Sequence, residues 1–562
     1  MNNNYLKKIF IVLILFFPLL VYSQVELVAP SHPVYSYLKR MQLIDVIKEY
    51  NSANLPLSRE KIAGYLKVID SLKPNISNTD RKILDDYKIE FEYDMYRDTK
   101  NSIHLFKKSA EFPLFQNKKQ KYLYFWSDSN ATYFFDGLGM LSQRMSTGDS
   151  LGKHSITLGE LGLRMRGTLF NSLGYYIRVS NGQRLGGTMR DVNFAYTTDP
   201  KLKANNKFST EGKNFDSYEG YLRFRTNSEW LSITAGKEAM LNGFGYVDKM
   251  FISNNTAPFP FLKIDLKYKA LGYTFFYGSL KGDSLGIDMQ WKSIASHRFD
   301  VQPVDFLRFG IFESIIISST PFSFDYLNPV SFLISSDLNT GSSTSYKNNT
   351  VAGIDMEILP VRKLAVQATL LIDDLNFSTI TKDDNTSNDN KFGWQVGAIW
   401  TDAFTIPDFT ACVEYTRLNP FIYSHRSNKN TYSNWGMSLG HALPPNSDEI
   451  AAKLTYNLTN RIKFELLYQH QRSGEGIVFD SLGNVIINYG GNVNRGDGDF
   501  LQKNTFLQGN RINRDILTLN LLFEPIKQYY FEIKLFYRLT DLKYIGKKQK
   551  DFYAWLTFRL DY

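Results

Sequence analysis

Along most of this chain, apolar and polar residues alternate one by one. From Glu160 to Leu169 one set is Leu161, Leu163, Met165, Gly167 and Leu169, and the other is Glu160, Gly162, Arg164, Arg166 and Thr168. A period of two places the sets on opposite faces of a strand, one suited to lipid and the other to water. The split recurs at Leu222 and Phe224 against Tyr221, Arg223 and Arg225, and at Ile462, Phe464, Leu466 and Tyr468 against Lys463, Glu465 and Gln469. It runs to the end of the chain, where Phe552, Ala554, Leu556, Phe558, Leu560 and Tyr562 alternate with Tyr553, Trp555, Thr557, Arg559 and Asp561. Before about Lys121 the period is that of a helix. Val34, Leu38, Met41 and Ile44, then Ile62, Leu66, Ile69 and Leu72, then Ile83, Tyr87 and Phe91 recur at three and four residues. Ser58 and Thr79 or Asp80 are placed as helix N-caps, and Pro74-Asn75 separates the second and third helices.

Strand-like segments come in pairs joined by short turns, as at Asn457 to Arg461 and Glu524-Pro525. Longer polar loops follow, at Thr197 to Asp216, Asn339 to Thr350, Thr381 to Asn390 and roughly Gly474 to Arg514. Short turns on one side and long loops on the other are the asymmetry of an outer-membrane barrel. The fold class expected is an all-β transmembrane barrel, antiparallel, with a small N-terminal α-helical module. About 440 residues follow the helical region, and at about 25 residues per strand with its loops they make about 18 strands, 16 being the neighbouring even count. The expected division is residues 1–23 as signal peptide, 24–105 as helical module and 106–562 as barrel.

Composition supports this. The chain has 562 residues, 15% of them aromatic and 22% charged, and after Leu20 no run approaches the ~18 apolar residues of a membrane helix. A polytopic helical membrane protein and a disordered chain are excluded. Lys7-Lys8, the apolar Ile9 to Leu20 and Val21-Tyr22-Ser23 read as a secretory signal peptide cleaved near Ser23, and the mature charge falls from +9 to +7. That excess suits anionic surface polymers, but no basic run is dense enough for nucleic acid. The single Cys412 cannot form an intrachain disulfide and reads as a small strand residue.

Catalytic and metal signals are weak. None of the seven His residues falls in an HExxH or His-Cys-Cys pattern, so no metal or cofactor is expected. Gly148-Asp149-Ser150-Leu151-Gly152 and Gly282-Asp283-Ser284-Leu285-Gly286 match GxSxG, but neither precedes a helix as a nucleophile elbow must. The Asp-Ser-Leu-Gly core recurs at Asp480 to Gly483 between strand-like runs, which is what a hairpin turn looks like. Arg495-Gly496-Asp497-Gly498-Asp499 lacks the spaced ligands of a calcium loop. No enzymatic activity is expected.

Three stretches differ from generic strand sequence. Gly236-Lys237-Glu238 is followed by Gly243-Phe244-Gly245 and by Ile252-Ser253-Asn254-Asn255-Thr256-Ala257-Pro258-Phe259-Pro260, whose Gly, Asn and Pro residues describe a segment that leaves the wall and folds inward. Phe324-Asp325-Tyr326-Leu327-Asn328-Pro329 is echoed at Arg417-Leu418-Asn419-Pro420-Phe421. Asn434-Trp435-Gly436 leads into Leu439-Gly440-His441 and Pro445-Asn446-Ser447-Asp448. Together these resemble the Wzi family of capsule-assembly proteins: the Gly-Lys strand with its Ser-Asn-Asn and Ala-Pro loop, and the Leu-Gly-His and Pro-Asn-Ser elements. The chain departs from the pattern at Asn242-Gly243-Phe244-Gly245, where family sequences often carry Trp-Gly-Pro-Gly, and at Pro444, where they carry Gly. The resemblance implies an 18-stranded outer-membrane barrel, plugged by loops, that holds capsular or extracellular polysaccharide as a lectin. Asn254, Asn255, Phe259, Trp435, His441 and Asn446 are the candidate carbohydrate-site residues. Expected partners are that polysaccharide, outer-membrane lipid and the barrel-insertion machinery, the last because a terminal amphipathic strand ending on an aromatic resembles its signal. A second reading is an adhesion or gliding-motility accessory barrel that carries other cell-surface proteins, and a third is a diffusion channel.

Overall fold

The structure, a computed structural model, describes residues 24–106, 115–282, 291–318, 324–330, 332–333, 336, 348–374, 390–425, 427–483, 485–496 and 504–562. The segment 1–23, the second GxSxG stretch after Gly282 and most of the two loops expected at Asn339 to Thr350 and Thr381 to Asn390 lie outside these residues.

Eighteen antiparallel strands, from Thr132–Gly148 to Lys547–Asp561, close into one barrel, the last pairing with the first through Asp561↔Leu138 and Tyr553↔Ser146. The alternation read from sequence sets the two faces. Leu161 is 76% exposed on the outer wall, whereas its neighbour Glu160 is 8% exposed toward the lumen. Exposed aromatics ring the outer wall near the short turns, among them Phe170, Trp230, Tyr268, Phe306 and Phe404, as expected of the girdle at a membrane interface. The tightest turns use left-handed backbone: Phe170 and Asn171, with φ of 51° and 58°, carry Leu169 into Leu173.

Three boundaries differ from expectation. The turn expected at Glu524-Pro525 falls later, between Ile526 and Tyr529, because Pro525 sits in a register irregularity between Phe523 and Ile526, where its missing N–H costs no ladder bond. The loop expected at Thr197 to Asp216 is largely helical, with helices at Met189–Thr198, Pro200–Lys203 and Asn206–Glu211; burial of Val192, Phe194, Leu202 and Phe208 against Phe215 and Tyr553 stabilises these short pieces. The strands Ile462–Glu475 and Asn510–Ile526 take both ends of the loop expected from Gly474 to Arg514, and Asp480 to Gly483 turns a small hairpin within it.

Among the described residues four α-helices precede the barrel: α1 (Val34–Leu43), α2 (Arg59–Ser71), α3 (Asn78–Glu90) and α4 (Glu92–Tyr96). Ser58 caps α2 as expected. Ser77, not Thr79 or Asp80, caps α3, its Oγ accepting from the Asp80 N–H at 2.9 Å. Asp80 is instead buried against Arg40, whose guanidinium also reaches Asp402 at 2.8 Å and Asp408 at 3.0 Å on a short turn of the barrel. The Lys363 N–H donates to the Leu43 carbonyl at 2.6 Å, and Arg461 binds Asp86 at 2.8 Å. These bonds seat the helices over the short-turn mouth. Their apolar faces, with Leu38, Met41, Ile62, Leu66, Leu84 and Phe91, form a core of their own.

The seam of the barrel has a third participant. Tyr562 pairs with Gly137, its N–H donating at 2.7 Å, and beyond it the short strand Tyr124–Ser127 continues the ladder along Thr132 to Phe135.

Candidate functional site

After the strand Leu231–Glu238, residues 239–258 leave the wall and enter the lumen, where Leu241-Asn242 pairs with Asn54-Leu55 ahead of α2. The innermost turn is held by carboxylates. Glu414 accepts the N–H groups of Tyr246, Val247 and Asp248 at 2.7, 3.2 and 3.2 Å, and Asp355, itself clamped by both Arg298 nitrogens at 2.8 Å, accepts that of Phe244 at 3.0 Å. Charge-assisted bonds of this kind are the strong ones. Gly245 is required here: its φ is 151°, and a Cβ would stand 2.0 Å from the Asp248 carbonyl oxygen. Lys249 is buried beside Asp355 and Arg298, outside the spanning strands; burial pushes its ammonium down to about 8.

The long connection from Leu418 to Ser447 folds inward to meet this segment. Tyr423 and Tyr432 stack with centroids 5.5 Å apart and donate through their hydroxyls to the Met250 and Phe251 carbonyls at 2.5 and 3.0 Å. Around them Met250, Phe251, Phe312, Leu439 and Leu443 make an apolar core that fills this part of the lumen. Asp248 joins the two loops, accepting from Asn255 Nδ2 and the Ala442 N–H, both at 2.8 Å. Asn434 completes the junction, its amide donating to Thr256 Oγ1 and the Ala257 carbonyl at 3.1 Å each.

Five of the six candidate residues lie on these two inward loops, and the sixth, Phe259, opens the wall strand Phe259–Tyr268 that follows the first of them. Asn254 is exposed, and Asn255 is tied by its amide to Asp248 and to the Gly440 carbonyl at 2.7 Å. Phe259 is buried against Phe276. Trp435 is half-buried in left-handed backbone, its N–H donating to the Lys281 carbonyl at 3.1 Å. His441 is buried; its Nδ1 accepts from the Leu443 N–H at 3.0 Å and lies 3.8 Å from Asp248. Asn446, at the end of the second loop, is fully buried; it donates to the Gly474, Tyr489 and Gln508 carbonyls at 2.9 to 3.0 Å and accepts from the Leu507 N–H at 2.6 Å. Asn254 and Trp435 therefore retain surface for a ligand, while the other four are positioned by, and position, the loops.

The residues that lock the site, Asp248, Glu414, Asp355, Tyr423 and Tyr432, carry no motif in the sequence. Elsewhere, Ser150 of the first GxSxG stretch lies in a turn, hydrogen-bonded to Asp551 at 3.0 Å. Among the described residues no group of three or more His, Cys, Asp or Glu is placed to hold a metal ion. Between the helices and the infolded turn lies a chamber of about 780 Å³, lined in part by Tyr246, Lys249, Lys453 and Lys463.

Residues 175–484, which carry both inward loops, match the family model of the capsule assembly protein Wzi. The chain belongs to the Wzi family. The barrel also resembles a solved structure of Wzi from Escherichia coli, described as an outer membrane protein involved in group 1 capsule assembly and a carbohydrate-binding β-barrel. The TM-score is 0.57 and the identity 12%, over 95% of this chain and 99% of that one. OprD from Pseudomonas aeruginosa (TM-score 0.44, 10% identity, 76% of this chain and 95% of that one) and OccAB1 from Acinetobacter baumannii (TM-score 0.44, 7% identity, 76% and 96%) are also similar. No curated protein sequence matches the chain. This Wzi-family barrel is an outer-membrane protein, and the asymmetry of its connections places the short turns and helices on the periplasmic side and the long loops outside.

Proposed function

We propose that this protein binds capsular or extracellular polysaccharide at the cell surface and holds it without covalent chemistry. The observation that carries the reading is the interlocking of the two inward loops through Asp248, Asn434, Tyr423 and Tyr432. It fills lumen that a wide pore would leave open and fixes a preformed polar and aromatic surface, as lectin-like recognition requires. Membership of the Wzi family supports the same reading. The helices α1 to α4 sit at the periplasmic mouth, which leaves the loops alone to meet partners outside. Glycan binding by the purified full chain, with and without residues 477–508, tests the proposal. Binding by the intact chain, weakened in the deletion, is expected; no binding in either form would overturn it.

A further inference from the structure

A second feature of the outer rim lies away from the interlocked loops. The helix Pro200–Lys203 and Asn205 face the upper ends of the strands Asn214–Arg225 and Leu231–Glu238 across a cleft of about 260 Å³. Ala257 and Pro258, where the infolding segment rejoins the wall, also border it. The volume is that of one sugar ring with its substituents, far below that of a helix or a peptide strand.

The chemistry of the walls is specific. Tyr218 stands at the rim 60% exposed, and Lys237, of the Gly236-Lys237-Glu238 stretch, lies with its Nζ 3.9 Å from the centre of that ring. Among the described residues no carboxylate lies within 4 Å of the Lys237 ammonium, although Glu219 and Asp216 act on its charge from farther off, so its donors make no ion pair. Across the cleft Lys201 is anchored by Glu160 at 2.7 Å, and Asn205 is fixed by donating to the Asp216 backbone carbonyl at 2.8 Å. The Asp216 carboxylate accepts from Asn205 at 3.3 Å and Glu219 pairs with Arg178 at 3.9 Å, so each has a partner other than Lys237 and keeps an acceptor at the cleft wall. An ammonium with free donors, an exposed aromatic ring and flanking carboxylates match, in order, an acid group, the C–H face and the hydroxyls of a sugar.

We propose that this cleft is a subsite for a single acidic sugar unit, one bearing a carboxylate or a phosphate, with Lys237 binding the acid group and Tyr218 the ring. The inference rests on the polysaccharide-binding reading above and names the ligand's charge and the residues that meet it. The same chemistry is offered by an acidic polysaccharide and by the phosphorylated sugar headgroup of an outer-leaflet glycolipid.

The test is calorimetric titration of the full chain in detergent micelles with galacturonate oligomers, with neutral galactose oligomers of equal length, and with rough-type lipopolysaccharide in mixed micelles. Binding of an acidic probe that weakens with added salt is expected, as is a loss of about tenfold in Lys237→Gln with retention in Lys237→Arg. Lys550→Gln, an exposed lysine on the last strand, should bind as the wild type does. Heat-modifiable migration on gels confirms that each variant is folded. Binding of the oligomers identifies a polysaccharide as the source, and binding of the lipopolysaccharide alone identifies a glycolipid; either supports the cleft. Acidic binding unchanged in both Lys237→Gln and Tyr218→Leu would overturn the cleft while leaving the polysaccharide reading in place. Preference for the neutral oligomers would overturn the acid specificity alone, and failure of the intact chain to bind any probe would overturn both.

Discussion

At the scale of single residues, the inward loops depend on a few side chains with every hydrogen-bonding valence in use. Asn446 makes four such bonds from a left-handed backbone, φ 54°. Asn446→Ala leaves the buried Gly474 carbonyl, the Tyr489 and Gln508 carbonyls and the Leu507 amide without this partner, at a cost of about 1–3 kcal/mol for unsatisfied groups and about 1 kcal/mol for the backbone. Limited proteolysis should then cut the loop between residues 476 and 509 faster while the barrel's melting temperature holds; unchanged cleavage would refute the role. Lys249 makes a prediction about pH. Its buried ammonium titrates near 8 against an ordinary value of 10.5, so above pH 8 the docked loop holds a neutral amine that the undocked loop would still protonate. Docking therefore strengthens as pH rises from 8 toward 10.5. Hydrogen-exchange protection of residues 243–249, corrected for intrinsic rates, should rise over that window, and Lys249→Met should flatten the rise. Sequence pointed to Asn446 and His441 through their place in a motif, but not to Asp248 or Glu414. Glu414 binds the Asp248 N–H from 166 residues away, and no local pattern encodes a partner at that distance.

At the scale of elements, alternation was legible because a strand's two faces meet different solvents, and each residue reports its own side. What alternation cannot report is a boundary set by tertiary contact. Pro525 resembles a turn residue but is absorbed by a bulge, and the short helices after Gly187 exist because Val192, Phe194 and Phe208 find a lumenal core to cover. The infolding of residues 239–258 was legible from its Gly, Asn and Pro content, but the clamp on it was not. Glu414→Ala removes a carboxylate that holds three consecutive N–H groups, bonds to a charged group worth about 1.5–3 kcal/mol each. Exchange at Tyr246, Val247 and Asp248 should accelerate at least tenfold, with the strand ladder unaffected. Equal exchange rates would mean that the apolar contacts of Met250 and Phe251 suffice to hold the turn.

At the scale of the whole molecule, two plugs meet inside one wall, the helices from the periplasmic mouth and the loops from the outer one. They touch where Leu241-Asn242 pairs with Asn54-Leu55. In planar bilayers the intact chain should show little steady conductance, and removal of residues 241–256 should open large steps; a large conductance in the intact chain would refute the double closure. The seam carries a further consequence. The first strand is paired for part of its length by the last residues of the chain and for the remainder by Tyr124–Ser127, which follow the helices. A bilayer tolerates no bare strand edge, so this joint is complete only when residues from both flanks of the barrel arrive. The barrel is fastened like a clasp with two keepers: loss of the last strand would unpair Leu138 to Gly148, and loss of the short one would leave Thr132 to Phe135 bare.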